Sequence, residues 1–279
     1  MAHKAVALKE EGNRHFQDGD YKEAESFYSQ AITKDSTNPK IFTNRAMTRL
    51  KLQSWDACID DCIKAIELER GSMKGYYILA QAQLALNHPN EALNSALTAY
   101  EKCLETADKS TTQVSGLVLQ AKKQKWEAKE KERLRSRSEL LRELEDGLLS
   151  VKKFELKGLK SQKLDPYEEA EERADIELTS RKKIEELKNV FAVADPVNLQ
   201  RREVPDYLID AISFTVMHDP VITKTGNSYD RSTVIEHLKR SNTDPLTREP
   251  LRMDDLRPNI ALKRACEEFL ENNGWAVDW

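Results

Sequence analysis

The first hundred residues of this chain repeat at an interval of 34 residues, with small side chains at the same three places in each repeat. The aligned sets are Gly12, Ala46 and Ala80; Ala24, Cys58 and Ala92; and Ala31, Ala65 and Ala99. Paired antiparallel helices need small residues where their backbones approach closely, because a large side chain would hold the helices apart. The spacing therefore predicts three stacked helix pairs.

Large residues occupy other positions of the same pattern. Leu8, Phe42 and Tyr76 fall in the first helix of each repeat, and Tyr28 falls in a second helix. A 34-residue period of this kind resembles the tetratricopeptide repeat, and three such repeats stack into a short solenoid. A solenoid of this type presents a concave groove lined by the first helices, so we expect a binding site there.

Composition narrows the functional classes. Charged residues are 33% of the 279 residues, yet the net charge is only −4, which argues against general nucleic-acid binding. The run 122–137 is an exception, with eight basic and three acidic residues. We interpret it as a solvated helix surface, and a phospholipid or nucleic-acid patch is the alternative.

The cellular location of the protein is predicted from its apolar runs, its N-terminus and its cysteines. No apolar run approaches the length of a membrane span, and the N-terminus begins directly in a predicted repeat helix, so neither a transmembrane segment nor a signal peptide is expected. The four cysteines form no CxxC pair and are interpreted as small buried residues in a reducing compartment. These features predict a cytoplasmic protein, with a nuclear location as a further possibility.

The middle of the chain is predicted to be helical throughout. Residues 111–121 carry apolar side chains at helical spacing, which suits a seventh helix capping the solenoid. The seam that follows is formed by Leu141, Leu144, Leu148 and Val151. Leu164, Asp165 and Pro166 break this helix, and a second one follows, with Ile176, Ile184, Leu187 and Phe191 on one side and Asp195 and Pro196 at its end.

These two helices predict a helical hairpin with a coiled-coil-like seam. The seam is too short to be stable alone, so we expect it to pair with a second copy of the chain. The whole chain is therefore predicted to be a homodimer.

The last section has short segments separated by proline and turn residues. Residues 221–223 and 228–230 flank Thr225, Gly226 and Asn227, which indicates a β-hairpin. A short helix is expected over 232–240, and a final helix from Pro258 to about Gly274. The fold class is thus mostly α, with a solenoid over residues 1–120, a charged hairpin over 121–200 and a small α+β domain over 201–279.

Polar residues recur on the inward face of the first helices. They are Lys9, Asn13, Asn44 and Lys74, of which Lys9 and Asn13 are four residues apart and share a face. Two ammonium groups and two carboxamides on one concave surface make a receptor for a carboxylate, above all for a peptide end with an acidic side chain. The alternative is four polar residues on a solvated face.

The stretches KEEGN, FTNRA and SMKGYY resemble the carboxylate-clamp class of tetratricopeptide domains. That resemblance implies binding of the Glu-Glu-Val-Asp tails of heat-shock chaperones, with the same four residues as the clamp. The class often has a basic residue where this chain has Ile78. Tyr77 and Ile78 are instead expected to form an apolar wall for a side chain upstream of the tail.

The C-terminal section resembles a U-box, a zinc-free relative of the RING domain. The resemblance lies in VPDYLIDAISFTVMHDPVIT, GNSYDR, DPLTREPL and RPNIALK. A RING needs eight Cys and His ligands, and only Cys266, His218 and His237 are present here, so no metal and no other cofactor are expected. Hydrogen bonds and ion pairs must brace the loops instead, and the candidates are Ser228, Asp230, Arg231, Asp244 and Asn259.

The U-box resemblance also implies a docking groove for a ubiquitin-conjugating enzyme. The matching positions are Ile212 and Phe214 in one loop, with Pro245 and Arg248 in another. Ile212 and Phe214 are apolar residues in a polar segment, which suggests an interface, although both could instead be core residues. By the resemblance, Arg248 would bridge ubiquitin and the conjugating enzyme and so restrict the conjugate to its reactive geometry.

Clamp solenoid, helical hairpin and terminal U-box in this order resemble a family of co-chaperone E3 ubiquitin ligases. The resemblance implies transfer of ubiquitin from a conjugating enzyme to lysines of misfolded, chaperone-bound clients. Two alternatives remain: a dimeric chaperone-binding adaptor without transfer activity, and a chaperone that holds clients on the apolar surface of the hairpin.

Overall fold

The computed structural model describes residues 2–106, 108–160, 165–193 and 202–279, and these form two compact units. The first unit joins Met1–Ala128 to Val204–Trp279, and the second is Lys129–Glu203. The predicted boundary between residues 120 and 121 lies inside a continuous helix, and the one between 200 and 201 lies outside the described residues. The N-terminal and C-terminal sections therefore belong to one compact unit.

Six helices form the repeats and pack as consecutive pairs. Their bounds are α1 Ala2–Asp18, α2 Tyr21–Lys34, α3 Pro39–Lys51, α4 Trp55–Leu68, α5 Met73–Ala85 and α6 Pro89–Glu105. Local signals start two of the front helices. Asn38 caps α3 by accepting from the backbone N–H of Lys40, and Ser72 caps α5 by accepting from that of Gly75.

The small residues lie where the helices of each pair approach. All the aligned alanines and Cys58 are fully buried. A Cβ atom on Gly12 would lie 2.7 Å from the ring of Tyr28, so glycine is required for α1 to pack on α2. The predicted solenoid is therefore confirmed, together with the reason for its small positions.

Helix α7 (Thr111–Lys160) runs for 50 residues and closes the solenoid at its start. Val114, Leu117, Val118 and Ala121 are buried in the cluster that also contains Tyr100 of α6. The predicted capping helix is thus correct in position, but it continues without a break into the hairpin.

Helix α8 (Pro166–Val193) is the second arm of the hairpin. Asp165 caps it by accepting from the backbone N–H groups of Tyr167 and Glu168, at 2.7 and 3.1 Å. The predicted apolar side of α8, formed by Ile176, Ile184, Leu187 and Phe191, is half-buried. The predicted helix end at Asp195 and Pro196, and Leu164 in the predicted break, lie outside the described residues.

The predicted seam on α7 is wrong for two of its four residues. Leu141 and Leu148 are half-buried, but Leu144 and Val151 are 42% and 51% exposed. Glu145 is half-buried instead and forms a 3.4 Å ion pair with Lys188 of α8, while Arg137 lies over the ring of Phe191. Long charged side chains can cover apolar surface with their methylene stems, so they replace leucine in the seam and leave Leu144 and Val151 on an adjoining face.

The C-terminal section contains a three-stranded antiparallel sheet and two helices. Its elements are β1 Pro220–Ile222, β2 Ser228–Asp230, α9 Arg231–Leu238, β3 Arg257–Pro258 and α10 Ile260–Asn272, with strand order β2-β1-β3. The predicted hairpin is present, and Gly226 supplies the positive φ of its turn, at +86°. The predicted start of the last helix at Pro258 is wrong, because Pro258 pairs with Val221 in the edge strand β3, where a missing N–H is tolerated.

The solenoid packs against the C-terminal section within the first unit. The hydroxyl of Tyr100 donates to Asp219 at 3.2 Å, and the indole N–H of Trp126 donates to the carbonyl of Asn272 at 3.0 Å. Lys122 Nζ lies 3.3 Å from His218 Nδ1, and burial lowers the pKa of both groups, that of His218 to about 3. The first residues of the basic run therefore contact the C-terminal section.

Among the described residues, no helix is both long enough and apolar enough to cross a membrane.

Candidate functional site

Three of the four predicted clamp residues are joined by hydrogen bonds across the front helices. Lys74 Nζ on α5 donates to Asn44 Oδ1 on α3 at 3.2 Å. Asn44 Nδ2 then donates to Asn13 Oδ1 on α1 at 3.0 Å. The hydroxyl of Tyr28 donates to the same oxygen at 2.8 Å, which fixes the amide of Asn13. The three side chains are thus held in one row before any ligand binds.

Lys9, the fourth predicted clamp residue, forms an ion pair with Glu10. Lys9 Nζ lies 2.9 Å from one oxygen of Glu10, and Asn13 Nδ2 donates to the other at 3.0 Å. The hydrogen bonds from Lys9 and then from Asn13 lower the pKa of the Glu10 carboxyl. The arrangement demonstrates that the Lys9 ammonium and the Asn13 amide can bind one carboxylate together.

A cavity of about 410 Å³ lies in front of this row. It is lined by Glu10, Asn13, Arg14, Phe16, Gln17, Tyr28, Asn44, Met47 and Lys74. Lys74 is exposed by area, yet burial of its ammonium in the groove lowers its pKa. Arg14, Phe16, Gln17 and Met47 were missed by the sequence reasoning. Helical spacing of three or four from Asn13 and Asn44 could have indicated the last three, but not Arg14. We call this cavity the clamp groove.

Tyr77 and Ile78, the two residues expected to form an apolar wall of the groove, differ in burial. Ile78 is 0% exposed and packs in the core with Ala46, Cys58 and Cys62, so it cannot line a groove. Tyr77 is half-buried, and its hydroxyl accepts a hydrogen bond from Gln81 at 3.2 Å. The expectation fails for Ile78 because its helix turn points it between α3 and α4 rather than toward the groove.

Asp210 organises the loop that holds Ile212 and Phe214, which we call the first loop (residues 210–215). One oxygen of Asp210 accepts from the backbone N–H and the hydroxyl of Ser213, both at 2.9 Å, and from Thr233 at 2.9 Å. The other oxygen accepts from the backbone N–H of Asp230 at 3.0 Å. A single buried carboxylate therefore ties the first loop to the start of α9.

Asp244 performs the same task in the second loop (residues 244–249). Its carboxylate accepts from the backbone N–H groups of Leu246 and Thr247, and from the hydroxyls of Thr225 and Tyr229, at 2.8 to 3.0 Å. Burial acts to raise the pKa of Asp244, but these donors outweigh it and hold the pKa well below its usual range.

A third buried carboxylate network braces the sheet and α9. Asp230 accepts from the backbone N–H groups of His218, Asp219 and Ser232. Asp219 forms ion pairs with Arg231 at 2.6 Å and Lys263 at 3.1 Å. The remaining predicted brace is also present, since Asn259 Nδ2 donates to Ser228 at 3.1 Å. Asp210 and Asp219 were missed by the sequence reasoning.

The four predicted docking residues differ in exposure. Phe214 is 72% exposed, and Arg248 is also exposed. Ile212 and Pro245 are half-buried, and Ile212 packs against the cluster of Val221, Tyr229 and Leu251. Leu246 in the second loop is 61% exposed and was missed, although an apolar residue between Pro245 and Thr247 could have indicated it.

Within the described ranges, no group of three or more His, Cys, Asp or Glu side chains is arranged to hold a metal ion.

Two family models match the chain. The model described as the U-box domain matches residues 204–275. The model described as the CHIP N-terminal tetratricopeptide repeat domain matches residues 121–202, which here follow the 34-residue repeats and include most of the hairpin.

Whole-chain comparison finds a relative of similar length. The E3 ubiquitin-protein ligase CHIP of Arabidopsis thaliana is 30% identical over 276 residues, which are 98% of this chain and 95% of that protein. Ubiquitin conjugation factor E4 of Schizosaccharomyces pombe is 44% identical over 71 residues, which are 25% of this chain and 7% of that protein. Among solved structures, the first TPR of Spaghetti (RPAP3) bound to the HSP90 peptide SRMEEVD is 33% identical, with a TM-score of 0.36, over 37% of this chain and 81% of that one.

Proposed function

Because the chain belongs to the CHIP family of E3 ubiquitin-protein ligases, we propose that it docks on the acidic C-terminal tails of heat-shock chaperones and directs ubiquitin to their clients. As a U-box ligase it is a transferase that forms no covalent intermediate with ubiquitin. The adaptor without transfer activity is therefore not retained.

The clamp groove supports the first half of the proposal. A peptide ending in Glu-Glu-Val-Asp offers two carboxylates at its last residue, and the row Asn13, Asn44 and Lys74 offers amide and ammonium donors at fixed spacing. Binding would exchange the Glu10 carboxylate on Lys9 for the carboxylate of the tail. Since each charge-assisted hydrogen bond contributes about 1.5 to 3 kcal/mol and the tail must be ordered, micromolar, salt-sensitive binding is expected.

The two loops support the second half. Phe214 and Leu246 are exposed apolar residues on loops made rigid by Asp210 and Asp244, which is what a docking surface for another protein requires. Arg248 on the second loop carries a cation that can donate to both ubiquitin and the conjugating enzyme. We propose that it accelerates transfer by holding the conjugate in its reactive geometry.

We also propose that the chain is a homodimer, and that the exposed apolar side of α7 is part of the contact. Leu140, Leu144, Val151 and Phe154 follow one another at helical spacing, and Phe154 is 79% exposed. We call these four residues the outer stripe. An exposed apolar row of this length favours association, and a second copy supplies a matching row.

We propose that the protein acts in the cytoplasm and in the nucleus. All four cysteines are buried and unpaired, which is compatible with a reducing compartment.

The observation that carries the proposal is the preformed row from Lys74 to Asn13 on the same chain as a U-box. Its test is ubiquitin discharge from a panel of charged conjugating enzymes, followed by modification of a client in the presence of a full-length chaperone. If ubiquitin is discharged but client modification does not depend on the chaperone, the proposed tail docking is wrong and only the ligase activity is supported.

A further inference from the structure

We propose that the solenoid has a second peptide pocket, which takes a neutral internal segment of an unfolded polypeptide by one large apolar side chain and a main-chain N–H. This side pocket has a volume of about 340 Å³ and lies where the ends of α3 and α5 meet α7. Leu50, Trp55, Leu84 and Leu117 form its apolar walls, and Gln81, Gln120 and Gln124 are its polar groups. The described residues that line it carry no charge.

The amide of Gln124 has a fixed orientation. Its Nε2 donates to the backbone carbonyl of Leu84 at 3.0 Å, and a carbonyl can only accept, so the nitrogen and oxygen cannot be exchanged. Gln124 Oε1 is buried and accepts from no described residue. The site therefore has an acceptor that needs a donor from outside the fold.

Gln81 adds a second group of the same kind. Its Nε2 donates to the hydroxyl of Tyr77 at 3.2 Å, while its Oε1 is buried and has no partner among the described residues. A hydroxyl can also donate, so Gln81 can turn its amide and present either an acceptor or a donor to a ligand. A peptide unit, with one N–H and one C=O, matches a fixed acceptor beside an adaptable amide.

The apolar walls select the rest of the ligand. A Phe or Leu side chain would lie against Leu50, Trp55 and Leu84 while the main-chain N–H of the same residue reaches Gln124. A carboxylate is disfavoured, because no described lining side chain is a cation and the fixed Oε1 of Gln124 would face the negative charge. The side pocket thus has a ligand preference opposite to that of the clamp groove, which is lined by Arg14 and Lys74.

The clamp groove and the side pocket both include residues of the front helix α5. Gln81 follows Lys74 by seven residues on α5, which is about 10 Å along the helix axis. They can therefore hold two different segments at once, an acidic chain end and an internal apolar segment. The inference goes beyond the proposed function, since the side pocket requires no terminal carboxylate and remains if tail docking fails.

The test uses an uncharged probe, the acetylated and amidated peptide Ser-Gly-Ser-Phe-Ser-Gly, titrated into the full chain by calorimetry. We expect weak saturable binding that Gln124→Leu reduces by about three- to tenfold, the effect of one buried hydrogen bond. Ala85→Trp introduces a large side chain at an exposed lining position and should reduce binding by more than about tenfold. Lys74→Ala should leave it unchanged.

Separate controls distinguish this site from the clamp groove. Gln124→Leu and Ala85→Trp should keep the circular dichroism spectrum of the parent chain and its affinity for a Glu-Glu-Val-Asp peptide. If the probe does not bind at millimolar concentration, water rather than a peptide hydrogen-bonds to the amides of Gln81 and Gln124, and the proposal is overturned. Equal binding by both variants, or displacement of the probe by the acidic peptide, would overturn it as well.

Discussion

Phe214 and Arg248 occupy matching positions in two loops built in the same way. Each has a positive φ, 59° and 60°, and each backbone N–H donates to the carbonyl of an aspartate four residues earlier, at 2.8 and 2.9 Å. The aspartates are Asp210 and Asp244. Non-glycine residues with positive φ are uncommon, so their presence at the same step of both loops indicates that the loops are held to aim these two side chains.

We expect Phe214→Ala to abolish docking of the conjugating enzyme without lowering the unfolding temperature, because the side chain is exposed and packs little against the fold. Ile212→Ala should also weaken docking and in addition destabilise the chain by about 1 to 2 kcal/mol, since Ile212 packs on the core. Binding and thermal unfolding measured together separate the two. Met253→Ala, which removes another exposed apolar side chain, should affect neither; normal docking by both loop variants would exclude this surface.

Arg248→Asn should prevent ubiquitin discharge while leaving most of the enzyme docking intact. Asparagine tolerates positive φ better than most residues, so this variant removes the cation with little change of the loop. Single-turnover discharge of a charged conjugating enzyme measures the effect, with Arg264→Asn on α10 as the charge-matched control. Discharge at the parent rate would show that Arg248 does not act on the conjugate.

Asp244→Asn should destabilise the chain by about 2 to 3 kcal/mol at neutral pH. The folded pKa of Asp244 lies below its unfolded value, so its contribution is present above about pH 4 and is lost as the pH falls toward the folded pKa. The difference in unfolding temperature between variant and parent should therefore shrink below pH 4. Asp254→Asn, an exposed carboxylate, is the control; a pH-independent difference would contradict the charge argument.

Lys74→Ala should weaken binding of a Glu-Glu-Val-Asp peptide by at least about tenfold, because one charge-assisted hydrogen bond is lost and the amide of Asn44 loses its donor. Calorimetry at low and moderate salt measures this, and self-modification in a ligase assay should persist. Lys64→Ala removes the same charge from the back helix α4 and should have no effect. Unchanged affinity in Lys74→Ala would refute the clamp assignment.

The double substitution Leu144→Glu and Phe154→Glu should convert the dimer to a folded monomer. Both side chains are exposed on the outer stripe, and a charge there opposes burial against a second copy. Leu148→Glu should instead reduce helicity, since Leu148 faces the seam within the hairpin. Light scattering and circular dichroism distinguish the outcomes. A dimer that survives the double substitution would show that the outer stripe is not the contact.

The solenoid was predictable because its requirement is local. A fixed interval of 34 residues determines which side chains meet. Gly12 lies against the ring of Tyr28, which is the close helix contact that the spacing implies. The predicted register of the hairpin was only half correct, because spacings of three and four fit two adjoining faces of α7. The choice between the two faces depends on Glu145 and Arg137. A charged residue is expected at the surface, so the sequence does not indicate that its methylene stem covers apolar surface in the seam.

Contacts between distant segments had no signal in the sequence. Tyr100 and Asp219 are hydrogen-bonded although 119 residues separate them, and neither neighbourhood indicates the other. The position of Ile78 was missed for a related reason, since its neighbours Lys74 and Tyr77 suggested the groove while the helix turns Ile78 into the core. The aspartates of the two loops were partly predictable, because a zinc-free loop needs another brace.

The most direct test of the account is ubiquitination of a chaperone-bound client in a purified system, comparing the parent chain with Lys74→Ala and Phe214→Ala. The account predicts that both variants lose client modification, that Lys74→Ala keeps self-modification, and that Phe214→Ala loses it. Client modification at the parent level by Lys74→Ala would contradict the claim that the clamp groove delivers the client to the ligase.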